Sequence, residues 1–188
     1  MPTISVKNFS ISSQKMTPQK FIIPLLGLLL ASCGVSSFTP GGYHESPEER
    51  QLAAFFRDDP KQKRKALLYD SRIGRAARAK AQDMARRGYF AHVDPDGNGA
   101  NFLINRQGYR LPANYLPPRS ANYVESLAGG HDTALETYRQ FLTSASHRKH
   151  LLGENPEYAR QTRYGIGYVH IPESKVGHYW VVMTAPPE

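Results

Sequence analysis

The sequence predicts an α+β domain set behind an N-terminal leader. Two patterns carry that expectation. Apolar residues recur at helical spacing, behind recognisable caps, through most of the segment after residue 45. The C-terminal stretches RYGIGYVHI (Arg163–Ile171) and HYWVVMTA (His178–Ala185) are instead rich in aromatic and β-branched residues, with a polar, proline-containing turn between them. Helices first and an antiparallel strand pair afterwards predict helices layered on a sheet. With 188 residues, 40% of them hydrophobic and including 11 Tyr and 8 Phe, there is material for one packed core plus a leader.

The first helix starts at Ser46-Pro47-Glu48-Glu49, where Ser46 caps, Pro47 opens the helix and Glu49 reaches back in a capping box. Leu52, Ala53, Phe55 and Phe56 form its apolar face, and Asp59-Pro60 ends it. Asp70-Ser71 caps the second helix, whose Ile73, Ala76, Ala77, Ala81, Met84 and Ala85 recur on one side. Its alanines allow close approach to a neighbour, while Arg72, Arg75, Arg78, Lys80 and Arg86 read as the wet side. Gly88 stops it in left-handed geometry. Asp94-Pro95-Asp96-Gly97 is a turn, followed by a short helix near Ala100–Gln107 that ends at Gly108. A brief strand is expected at Asn122–Val124, then a helix capped by Asp132 with Leu135, Tyr138, Phe141 and Leu142 on one face, then one more turn in SASHRKHLLG.

The N-terminal part reads as an address rather than a structural element. Phe21–Leu30 is apolar but shorter than the roughly 20 residues a bilayer span needs. Basic residues precede it and small residues follow, as in a signal peptide. Leu30-Ala31-Ser32-Cys33 resembles the lipobox of bacterial lipoproteins, which implies a leader over residues 1–32 and a lipidated Cys33. Gly34 after the cysteine leans toward outer-membrane sorting, as in Gram-negative lipoproteins, so the expected location is the cell envelope. Translation from Met16 instead of Met1 would give a more compact leader. Residues 33–45, rich in Ser, Gly and Pro, are expected to form a flexible tether, and residues 46–188 the domain. With the only cysteine acylated, no thiol remains for disulfides or nucleophilic chemistry.

The formal charge of +8 falls to +5 once the leader's Lys7, Lys15 and Lys20 are removed, leaving 21 basic residues against 16 acidic ones. The densest cluster left, Lys61–Lys65, has Asp58 and Asp59 beside it and reads as a solvated surface. No aromatic-interleaved basic groove or zinc-finger spacing is present, so no nucleic-acid partner is expected.

The candidate chemistry lies at His92, Glu125 and His147, each within or beside a segment carrying core anchors. Two imidazoles and a carboxylate held together could bind a divalent cation such as zinc, or transfer protons near neutral pH. HExxH and GxSxG are both absent, which argues against a zincin and a serine hydrolase. His147 and His150 have the spacing to share a helix face.

Taken in order, DSRIGRAARAKAQDMARRGYFAH, NYVESLAGG, SASHRKHLLG, YGIGYVHI and HYWVVMTA resemble a bacterial CAP domain, of the superfamily of cysteine-rich secretory proteins, antigen 5 and plant pathogenesis-related proteins. The resemblance runs from about Glu48 to Ala185 and implies a three-layer α-β-α sandwich with a small antiparallel sheet and a surface cleft lined by His92, Glu125 and His147. The family's second cleft glutamate would fall near Gly99, where no acid stands; its Glu-Asn-Ile motif is here Glu125-Ser126-Leu127, and the asparagine after its His-Arg motif is His150. The implied function is a lipid-anchored, non-enzymatic module binding a cation, a lipid or a protein partner. The alternative is a metal-dependent, peptidase-like hydrolase using the same cleft. A lipid ligand would need an apolar groove, for which Tyr109, Leu111, Tyr115 and Leu116 are candidate walls.

Overall fold

The computed structural model describes residues 43–188, so the expected leader and Cys33 lie outside the described residues. The chain order is α1 (Pro47–Arg57), β1 (Leu68–Tyr69), α2 (Ser71–Arg87), α3 (Ala100–Arg106), a 3₁₀ turn (Ala113–Tyr115), β2 (Glu125–Gly129), α4 (Ala134–Thr143), α5 (Ala145–Leu151), α6 (Pro156–Ala159), β3 (Arg163–His170) and β4 (His178–Ala185). No helix among the described residues is long and apolar enough to cross a membrane.

The strands form one sheet in the order β1-β3-β4-β2. β3 and β4 are the hairpin that the sequence predicts, paired antiparallel from Arg163↔Ala185 to His170↔His178. β2 adds antiparallel to β4, and the two-residue β1 adds parallel to β3, so the sheet is mixed rather than purely antiparallel. β4 is central and buried on both faces. Tyr179, Val181 and Met183 meet Ile73, Ala77, Ala81 and Met84 of α2 on one side. Trp180 and Val182 meet Leu52 and Phe56 of α1 and Phe141 of α4 on the other. The result is the expected α-β-α sandwich with a core on each face of the sheet.

The α2 layer lies unusually close to the sheet. A Cβ at Gly165 would overlap the backbone of Ile73 and Gly74, and one at Gly167 the backbone of Ala77 and Arg78. The alanine stripe of α2 and the paired glycines of β3 are therefore two halves of one contact.

Capping follows local sequence. The Ser46–Glu49 capping box forms, Asp70 caps α2, and Gly88 ends α2 at φ 69°. Glu49 does more than cap. Its side chain is fully buried, accepts hydrogen bonds from the Tyr43 hydroxyl and the Tyr168 N–H (both 2.9 Å), and pairs with Arg78 at 2.5 Å. Tyr43, expected in the tether, is thus fastened to the domain, and its carbonyl also accepts from the Tyr69 hydroxyl at 2.6 Å.

Several expectations are corrected. The strand expected at Asn122–Val124 lies instead at Glu125–Gly129, and Thr133 rather than Asp132 caps α4. Lys80, assigned to the wet side of α2, is 2% exposed. Arg64, in the cluster read as solvated, is buried and donates to the carbonyls of Gln161 (2.7 Å), Leu151 (2.8 Å) and His150 (2.6 Å). Burial lowers its guanidinium pKa to about 10. Tyr109 and Leu111 are core residues, Tyr115 is buried at the wall of a separate cavity and only Leu116 is exposed, so the four do not line one lipid groove.

Candidate functional site

The Arg87–Gly97 segment leaves α2 at Gly88 and crosses toward β2, which brings His92 to Glu125. The His92 Nδ1 lies 2.9 Å from Glu125 Oε1. The two side chains differ sharply in environment: His92 is 45% exposed and Glu125 is sealed at 0%. Glu125 opens the edge strand β2 with its side chain on the α2 face, and the Asn122 side chain accepts from its N–H at 3.0 Å. Burial raises the carboxyl above the usual range, against the opposing His92 hydrogen bond and the nearby charge of Lys80. Its Oε2 is buried with no hydrogen-bond partner among the described residues.

Lys80 is the residue behind this pair that sequence reasoning missed. Its ammonium donates to the His92 carbonyl at 3.1 Å and the Tyr89 hydroxyl at 3.3 Å, and lies 4.8 Å from the Tyr89 ring centre. Burial lowers its pKa. A lysine on an alanine-rich helix gives no sequence signal of burial, because its stem packs as readily as it extends into water.

His147 lies in an adjoining cavity of about 280 Å³ along the outer edge of β2. Phe90 and Val176 line this cavity on one side, Gln140, Thr143 and Ser144 on the other, and Leu127–Gly129 along its base. The His147 ring stands edge-on to Phe141, with centroids 5.2 Å apart. Burial, and secondarily the charge of His92, hold its pKa below the ordinary histidine value. His92 and Glu125 are therefore in contact, while His147 is a neighbour coupled by charge to His92.

Among the described residues, no group of three His, Cys, Asp or Glu side chains is placed to hold an ion. The Nδ1 of His92 is already turned to Glu125, and Glu125 is enclosed.

The backbone adds a polar edge to the cavity. The bonds Thr184 N–H to Val124 O and Gly130 N–H to His178 O fix the phase of the β2–β4 ladder. By alternation, Ser126 and Ala128 bond to β4, while the N–H and C=O of Leu127 point outward.

Ser126 and His150, two of the three departures from the family motifs, prove to be partners. Ser126 Oγ lies 2.7 Å from His150 Nδ1, and His150 Nε2 lies 2.7 Å from Thr184 Oγ1. Thr184 donates to Gln161 Oε1 at 2.5 Å. That donation fixes the tautomer: Nε2 carries the proton toward Thr184, and Nδ1 accepts from Ser126. All four side chains are buried, so the chain is structural. Although His150 lies three residues from His147, it points into the interior rather than into the cavity.

The CAP resemblance implies a three-layer sandwich with a surface cleft lined by His92, Glu125 and His147; the sandwich is present, and His92 and Glu125 are in contact with His147 beside them. Residues 48–184 match the model of the cysteine-rich secretory protein family, CAP, and the chain belongs to that family. Over 112 residues it is 32% identical to the uncharacterized protein YkwD of Bacillus subtilis strain 168, a match covering 58% of this chain and 37% of that relative. The fold is shared with an SCP-domain extracellular protein of Bacillus anthracis (TM-score 0.57, 17% identity, 74% of this chain and 40% of that one). It is also shared with an outer surface protein of Borrelia burgdorferi (TM-score 0.53, 15% identity, 77% of this chain and 98% of that one).

Proposed function

We propose that this protein is a lipid-anchored module of the bacterial envelope that binds a peptide segment in the β2-edge cleft without turning it over. The carrying observation is the division of labour in the His92–Glu125 pair. Glu125 is sealed, and one of its oxygens is occupied by His92, so only the imidazole meets a ligand. The outward Leu127 N–H and C=O offer a donor and an acceptor that match an extended peptide backbone. Phe90, Val176 and His147 offer contacts for its side chains. An extracellular protein and an outer surface protein share the fold, in agreement with an envelope location. A second reading, a hydrolase, is favoured by one feature: a buried carboxylate orienting an imidazole is also how a general base is built.

An array of random decapeptides probed with the full chain in detergent tests both readings. Binding is expected to a subset of peptides and to fall at least tenfold in His92→Ala, with mass spectrometry finding the bound peptides intact. Cleaved peptides would establish the hydrolase instead, and an array with no enriched peptide would end the peptide-binding proposal. For the anchor, a Cys33→Ala variant expressed in bacteria should move from the membrane to the soluble extracytoplasmic fraction. Retention in the membrane would refute lipidation.

A further inference from the structure

A second cavity, of about 380 Å³, opens where the 3₁₀ turn, the segment before β2 and α6 converge, and it shares no lining residue with the cleft. Its volume falls within the roughly 300–1,000 Å³ of small-ligand sites. Three tyrosines shape it. Tyr115 is buried and meets Tyr123 edge-on, with centroids 5.9 Å apart. Tyr158 stands edge-on to the buried His150 at 4.9 Å. Gln161 locks the base, donating to the Tyr123 carbonyl at 2.8 Å and the Tyr115 hydroxyl at 3.4 Å. Tyr123, held from beneath, is nonetheless 48% exposed. Around these rings stand Asn114, Asn155 and Glu157.

From this lining we infer a binding site for a pyranose ring, as a free oligosaccharide or as one unit of a glycan. The C–H faces of a sugar ring are apolar and stack on aromatic rings, whereas its equatorial hydroxyls need paired donors and acceptors. Tyrosine rings bordered by amides and a carboxylate can meet both demands. A lipid chain would strand those polar groups, and a phosphate would find no lysine or arginine in the lining and would meet Glu157, whose partner Arg160 is already engaged by it. The Gln161 bonds fix the Tyr115 and Tyr123 segments before any ligand arrives, which lowers the ordering cost of binding. Tyr123 is the principal stacking platform.

The full chain in detergent is titrated calorimetrically with cellotetraose and with tetra-N-acetylchitotetraose, and co-sedimented with insoluble cellulose and chitin. Saturable binding to at least one tetrasaccharide is expected. Tyr123→Ala and Tyr158→Ala should each weaken it at least tenfold, Tyr123→Trp should retain it, and Leu135→Ala on the exposed face of α4 should leave it unchanged. Stronger binding of the chitin fragment would assign the acetamido sugar; co-sedimentation would extend the site to polymer. No saturable heat with either tetrasaccharide, or equal affinity in Tyr123→Ala with an unchanged melting temperature, overturns the inference.

Discussion

Replacing Gly167 with valine is expected to lower stability by more than about 3 kcal/mol, or to prevent folding. Overpacking is tolerable when the obstructed neighbour is the end of a flexible side chain. Here the new Cβ meets the backbone of Ala77 and Arg78, in the middle of a helix whose hydrogen bonds hold it rigid. Relief would require lifting α2 from the sheet and opening the core formed by Ile73, Ala77, Ala81, Val181 and Met183. For a domain stabilised by about 5–15 kcal/mol, that is a large share of the total. Ile166→Val, one position away on the opposite face, should cost only about 0.5–1.5 kcal/mol. Urea denaturation of the two variants beside the parent measures the contrast. Loss of less than about 1 kcal/mol in Gly167→Val would show that helix and strand do not sit in direct backbone contact.

The second large effect is a loss of stability in acid originating at His150. Burial first, then the charge of Arg64, press its pKa down to about 3. The unfolded chain titrates near the ordinary value of about 6.5. Between those two values the unfolded state holds a proton that the native state refuses, so stability falls as pH falls. The slope from this one group approaches about 1.4 kcal/mol per pH unit in the middle of the window, and the loss is complete below about pH 3. Glu125 works the other way: its raised carboxyl pKa lets the native state take up a proton first, adding stability as pH falls through the carboxylate range. His150→Gln removes the imidazole while keeping a donor and an acceptor, so its pH profile should be flatter than the parent's between about pH 6.5 and 4. Parallel profiles from denaturant melts would show that the Ser126–His150–Thr184 chain accepts a proton without penalty.

What could be read beforehand was whatever depends on nearby residues. Ser46 with Glu49, Asp70 before α2 and Gly88 after it are local chemistry, and each is found as expected. β3 and β4 announce themselves by aromatic and β-branched residues. β1 does not, because two residues carry no periodicity. β2 escapes the sequence pattern because Glu125–Ala128 is buried throughout and lacks the alternation that marks a strand with one wet face. The burial of Lys80 and Arg64 was hidden for a related reason: their partners are carbonyl groups, which no sequence pattern displays. At the site, spacing alone could not join His92 to Glu125 across 33 residues; the family resemblance pointed to both. That resemblance marked Ser126 and His150 only as two separate departures, whereas in the fold they are one hydrogen-bonded exchange.

The knot around Glu49 has a mechanical consequence. Tyr43 is clamped through its carbonyl to Tyr69 and through its hydroxyl to Glu49, and Glu49 is tied to Arg78 and to the backbone of Tyr168. Tension entering the domain at Tyr43 is therefore distributed at once to α1, α2 and β3 instead of peeling α1 away turn by turn.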